Sequence, residues 1–178
     1  SHKILAFSNR ALKWYYSHLL SWADEIENGH VFLHNQGWIG PNCLGHFSND
    51  AAFMCSSEIY DKFGFPYEKQ LIKDFDFLLY HVHSGGLQNL EKIAKLPVNR
   101  MIEITQDPQS LPVIDQIDDI LKLLGNSYLM IHLSSDQVRE NIDKLKRVNA
   151  FLDVTCSDIF DAKDIVEFVR INSMPLYC

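Results

Sequence analysis

In the second half of the chain, four short and almost wholly apolar runs begin near Leu79, Met101, Leu129 and Phe151, at intervals of about 22 to 28 residues. Amphipathic helical stretches fill the gaps. Leu87, Leu90, Ile93 and Ala94 share one helical face, Pro112 suits a first helical position, and Gly125 suits a C-terminal cap. Ser134 to Gln137 has the form of a capping box, and Asp161 is placed to cap a last helix running through Val169. Strands that alternate with helices at this spacing predict parallel βα units, and strands without polar alternation predict a sheet covered on both faces. A doubly wound sheet meets these constraints. A closed eight-stranded barrel needs about 250 residues, more than the 178 present.

The first half is less regular. Leu12, Tyr15, Leu19, Trp22 and Ile26 recur at helical spacing, which predicts a leading helix over residues 3–28 that Gly29 stops. Val31 to His34 reads as a short strand, Gly37 to Pro41 as turns, and Cys43 to Ser48 as another strand ending at Asn49-Asp50. Ser56 or Ser57 caps the next helix with Glu58 in its first turn, and Pro66 divides that helical region. Ser1-His2 has the form of a remnant left by removal of an expression tag. Residues 29–178 then hold the βα units of a single domain.

Composition narrows the function classes. A formal net charge of -7 without a lysine or arginine cluster argues against nucleic acid or an anionic membrane as partner. No run approaches the roughly 18 to 20 apolar residues of a membrane span, and the N-terminus lacks signal-peptide form. Cys43, Cys55, Cys156 and Cys178 form no dense framework, so a reduced, cytoplasmic protein is expected.

The residues that carry chemistry cluster at predicted strand ends. His81 and His83 are two apart in an apolar run, so both imidazoles project from one face. Cys156 ends the run that begins at Phe151. Two nitrogens and a sulfur brought to one point would make a three-ligand zinc site with one position open. Histidines at strand ends also serve as polar caps, and a lone cysteine as a small buried hydrophobe. Ser84, Gly85 and Gly86 form a glycine-rich helix start suited to a phosphate or carboxylate, and equally to a tight turn. Asp50 follows a strand, where barrel enzymes place functional groups, and also suits a cap. Glu103 shares a face with Met101 and Thr105. His132 reads as a hydrogen-bonded core histidine, and Trp14, Trp22 and Trp38 as packing residues.

Two segments carry a resemblance. Asn49-Asp-Ala-Ala-Phe-Met-Cys-Ser-Ser-Glu-Ile-Tyr-Asp-Lys-Phe-Gly-Phe-Pro-Tyr67 and Tyr80-His-Val-His-Ser-Gly-Gly86 resemble, in order and spacing, segments of the uroporphyrinogen decarboxylase superfamily. The likeness runs from about Trp38 to Arg170. It implies that this chain corresponds to the C-terminal half of a (β/α)8 TIM barrel. The superfamily contains metal-free porphyrinogen decarboxylases and zinc-dependent methyltransferases that act on methylcorrinoids. His81 matches the methyltransferases' histidine ligand and Cys156 their distant cysteine, while His83 stands where their first cysteine would be.

The resemblance thus implies a zinc-dependent transfer of a methyl group from a corrinoid, held on a partner protein, to a small thiol substrate. His81, His83 and Cys156 would be the ligands, with Asp50 and Glu103 contacting substrate or ligands. A metal-free decarboxylase and a non-catalytic binding module are the alternatives. A half barrel alone is expected to be inactive. It is also expected to self-associate, or to pair with a missing N-terminal half, through its open strand edges.

Overall fold

The computed structural model describes residues 43–73 and 75–173, the backbones of residues 31–34 and 37–39, and scattered positions from 3 to 18. At those scattered positions Lys3, Ala6, Phe7, Arg10, Ala11, Trp14 and His18 are helical and exposed. The apolar stripe of the predicted leading helix, from Leu12 to Ile26, lies outside the described residues, as do Cys43's side chain, Trp22, Trp38's side chain and Cys178. Trp14 is exposed rather than packed.

Strand β1 (Val31–His34) pairs antiparallel with β2 (Gly37–Ile39), so the stretch expected to be turns contains a strand. The rest is an α/β fold. Five parallel strands, β3 (Cys43–Ser48), β4 (Phe77–His83), β5 (Asn99–Thr105), β6 (Tyr128–Ser134) and β7 (Ala150–Thr155), lie side by side in the order of the chain. A doubly wound sheet needs that order to reverse at some point. Among the described residues these five strands show no such reversal.

The connections form where their sequences direct. Ser56 caps α2 (Ser57–Phe63), and Gly64 separates it from α3 (Phe65–Ile72), which carries Pro66 in its first turn. A four-residue helix α1 (Asp50–Phe53) precedes them, with Asn49 as its cap. After β4 the chain makes a 3-10 turn (Ser84–Asn89) before α4 (Leu90–Ile93). Pro112 precedes a further 3-10 turn, and α5 (Ile117–Leu124) ends at Gly125 with φ +55°, a left-handed conformation that favours glycine. Ser134 and Gln137 complete the expected capping box on α6 (Ser135–Leu145). The last helix, α7 (Ile159–Asn172), is capped by Asp158 rather than Asp161. Asp161 lies inside the first turn and reaches back to Ser135 and Ser157 instead.

Strand alternation divides the sheet into two faces. Leu78, Tyr80, Val82, Ile102, Ile104, Leu129, Ile131 and Leu133 join Leu90, Ile93, Ile117, Ile120, Val138, Leu145 and Ile165 in one core. Ala150, Leu152, Val154 and Cys156 pack against it from β7. The polar residues at the strand ends alternate with these and occupy the opposite face. Among the described residues, no helix is long and apolar enough to cross a membrane.

Candidate functional site

Register assembles the site. His81 lies opposite Glu103 and His83 opposite Thr105 across β4 and β5, while Glu103 is beside Met130 and His132 beside Asp153. The polar side chains of four neighbouring strands therefore meet near their C-terminal ends, where parallel αβ sheets bind ligands.

Glu103 is the centre of this array. It is fully buried, yet both its oxygens are engaged. Nδ1 of His81 lies 3.0 Å from Oε2, and Nε2 of His132 lies 2.6 Å from Oε1. His132 spans to a second carboxylate, with Nδ1 3.1 Å from Asp153. Burial by itself would push the Glu103 carboxyl up, but the bonds and charges of the two histidines outweigh it and hold it below the usual range. The same bond raises His81 above the ordinary imidazole value against the effect of its burial, and Asp50 and Asp107 add to the rise.

His83 has its own buttress. Its Nδ1 donates to Asp107 Oδ1 at 2.9 Å. Asp107 also accepts from the backbone N–H of Gly85 at 2.9 Å, and its own N–H donates to Ser84 Oγ at 2.8 Å. Burial opposes ionisation of Asp107, but the Gly85 and His83 bonds hold its carboxyl low. Nε2 of His83 lies 3.6 Å from Asp50 Oδ1, which also accepts from Ser48 Oγ.

Asp50, His81 and His83 each offer a ligand atom within 4.8 Å of the others, and so do His46, His81 and Glu103. Neither group contains Cys156. The cysteine follows Leu152 and Val154 in the alternation of β7, so it packs against the helices, and its Sγ lies 3.6 Å from Val154 O. His81 and His83 are on the other face, three strands away. The structure brings the two histidines together and leaves the expected third ligand apart from them.

The glycine-rich turn is also committed elsewhere. Gly85's N–H is taken by Asp107, and Ser84 Oγ is bonded to Asp107 and Ser110. A Cβ on Gly86 would meet Phe53 at 2.6 Å, so glycine there permits close packing against α1. Ser84 and Gly85 thus hold Asp107 against His83 rather than present free donors to an anion, while Gly86 lies against Phe53.

Asp107, Asp153 and His46 are not among the residues that the sequence patterns single out. Asp153 was legible, because it sits one residue from Leu152 and Val154 on a strand whose other face is apolar. Asp107 lies beyond the end of β5, where no periodicity applies.

No known protein family, curated protein or solved structure matches the chain.

Proposed function

We propose that this chain is the C-terminal half of a (β/α)8 barrel enzyme similar to the uroporphyrinogen decarboxylase superfamily. We propose that it moves a methyl group from a methylcorrinoid, held on a partner protein, to a thiol. One observation carries this reading: five parallel strands in chain order present carboxylate-backed histidines together at their C-terminal ends. Barrel enzymes keep their reacting groups at that end. The resemblance of residues 49–67 and 80–86 supplies the reaction class.

The zinc set implied by the resemblance fits in part. His81 and His83 adjoin, but Cys156 faces the helices, so a His81–His83–Cys156 site does not fit and no step is assigned to it. Within this reading Glu103 and Asp107 act on the histidines. Each accepts the Nδ1 proton and fixes the ring, leaving Nε2 as the lone-pair atom. The acceptor thiol and the methyl donor approach from beyond the strand ends, past the exposed Asp50.

Decarboxylation of a polycarboxylate is less well supported. It calls for cations against the substrate's acid groups, whereas the described groups assembled here are histidines and acids, and Arg139, on α6 at the helix side of the sheet, is paired with Asp161 at 2.9 Å. The last described strand, β7, has an exposed Phe151, and α7 exposes Phe160, Val166 and Ile171. The remaining strands of a closed barrel, or a second copy, would cover this edge.

Thioether formation from methylcobalamin and a thiol, followed by mass spectrometry on the intact protein, tests the reaction. Activity should vanish in His81→Ala and survive in Cys156→Ser. No thioether above the uncatalysed rate would refute methyl transfer.

A further inference from the structure

The two histidines of β4 are held as metal ligands are held. An imidazole whose Nδ1–H is accepted by a carboxylate has a fixed tautomer, a fixed orientation and a more basic Nε2. His81 is held in this way by Glu103, and His83 by Asp107. The ring centroids are 5.0 Å apart and the planes perpendicular. Asp50, the first residue of α1, adds an exposed carboxylate whose oxygen lies 3.6 Å from Nε2 of His83. Thr105, the register neighbour of His83, carries a buried hydroxyl with no hydrogen-bond partner among the described residues.

We infer that Asp50, His81 and His83 bind one divalent transition-metal cation through two imidazole nitrogens and one carboxylate oxygen. Their ligand atoms already lie within 4.8 Å of one another. Such a set occupies one side of an ion and leaves the others open to water or substrate. The second trio, His46, His81 and Glu103, shares His81. An ion there competes with the 3.0 Å bond between His81 and Glu103, whereas the Asp50 trio leaves both buttressing bonds in place. The donors are nitrogen and oxygen only. This separates the site from the sulfur-containing set that the resemblance implies, and it suits zinc, cobalt, iron or manganese. The inference rests on geometry and not on the methyl-transfer reading.

The test is titration of chelator-treated full-length protein with Co(II), followed by calorimetry and by the visible absorption of the bound ion, with no methyl donor present. One ion per chain is expected, without a sulfur-to-cobalt charge-transfer band. His83→Ala should abolish the signal. Glu103→Gln and Asp107→Asn should weaken binding about 10- to 100-fold. Asp50 is largely exposed, so Asp50→Asn reads the site without disturbing the core, and it should weaken binding at least about tenfold. Circular dichroism confirms that each variant is folded. Absence of binding by the native chain would overturn the proposal. So would undiminished binding in folded Asp50→Asn, or a sulfur band that Cys156→Ser removes.

Discussion

Two glutamates in this protein are buried to nearly the same degree and behave in opposite ways. Glu68 is 5% exposed and Glu103 is 0% exposed. Glu68 lies on the helix side of the sheet, bonded by Tyr60, Asn49 and Tyr80, the last at 3.0 Å. Those partners are neutral, so burial dominates and raises its carboxyl, against the bonds that favour the charge. Glu103 lies on the polar side, and its partners are histidines that accept protons. They hold it low, and its bond to His81 raises that imidazole in return. Burial sets how strongly a group feels its neighbours, and the neighbours' own chemistry decides the sign. Glu68 pins α3 to β4 and, through Asn49, anchors the residue before Asp50. Glu103 orients histidines.

The sharpest test of this contrast is the adjacent pair Tyr80 and His81, which point to opposite faces. Tyr80→Ala removes a large, 1% exposed side chain and should cost about 3–5 kcal/mol, read from the urea midpoint. His81→Ala should lower stability far less while abolishing Co(II) binding. Comparable stability losses would break the distinction between a packing face and a chemical face.

A second test removes the charge at the centre. Glu103→Gln should bring the proton uptake of His81 back down from its raised value, followed by NMR titration of the imidazole carbon-bound protons. An unmoved titration would mean that Glu103 does not control His81.

Smaller effects separate the two glutamates by pH. A raised acid binds its proton more tightly when folded, so Glu68 lowers stability as pH climbs from its ordinary value of 4.5 through its raised folded value. Glu103 is lowered, so its contribution is present above that ordinary value and is lost as pH falls through its folded value. His81 is raised, so its contribution is full below 6.5 and is lost as pH rises through its folded value. Urea midpoints against pH should therefore show a decline that Glu68→Gln reduces and an acid-side loss that Glu103→Gln reduces.

Asp161 gives a gentler acid-side loss. Bonds from Ser135, Ser157 and Arg139 lower it from 3.8 to about 2, so its contribution fades as pH falls through that window. Asp161→Asn should lower the urea midpoint at neutral pH and flatten that acid limb. Cys156→Ser should have the smallest effect, with metal affinity unaltered. A loss of binding there would restore the cysteine to the site.

Much of the scaffold was legible from period and punctuation. The four apolar runs became β4 to β7, and Ser134-to-Gln137 and Gly125 ended or began helices where their local chemistry directs. The Gly37-to-Pro41 stretch misled because glycine and proline mark turns without excluding a short hairpin strand. The phase of β7 was legible too: Cys156 falls in step with Leu152 and Val154, while Asp153 and Thr155 fall in step with the polar face.

The sequence by itself determined parallel βα units and the shared face of His81 and His83, because alternation and capping act over a few residues. Only the tertiary structure decided the strand order, the register that sets Glu103 between His81 and His132, and the return of Asp107 to His83 across 24 residues. Those pairings join groups distant in the chain. Their partners are chosen by how apolar faces pack together, and the polar groups opposite are carried into place by that packing.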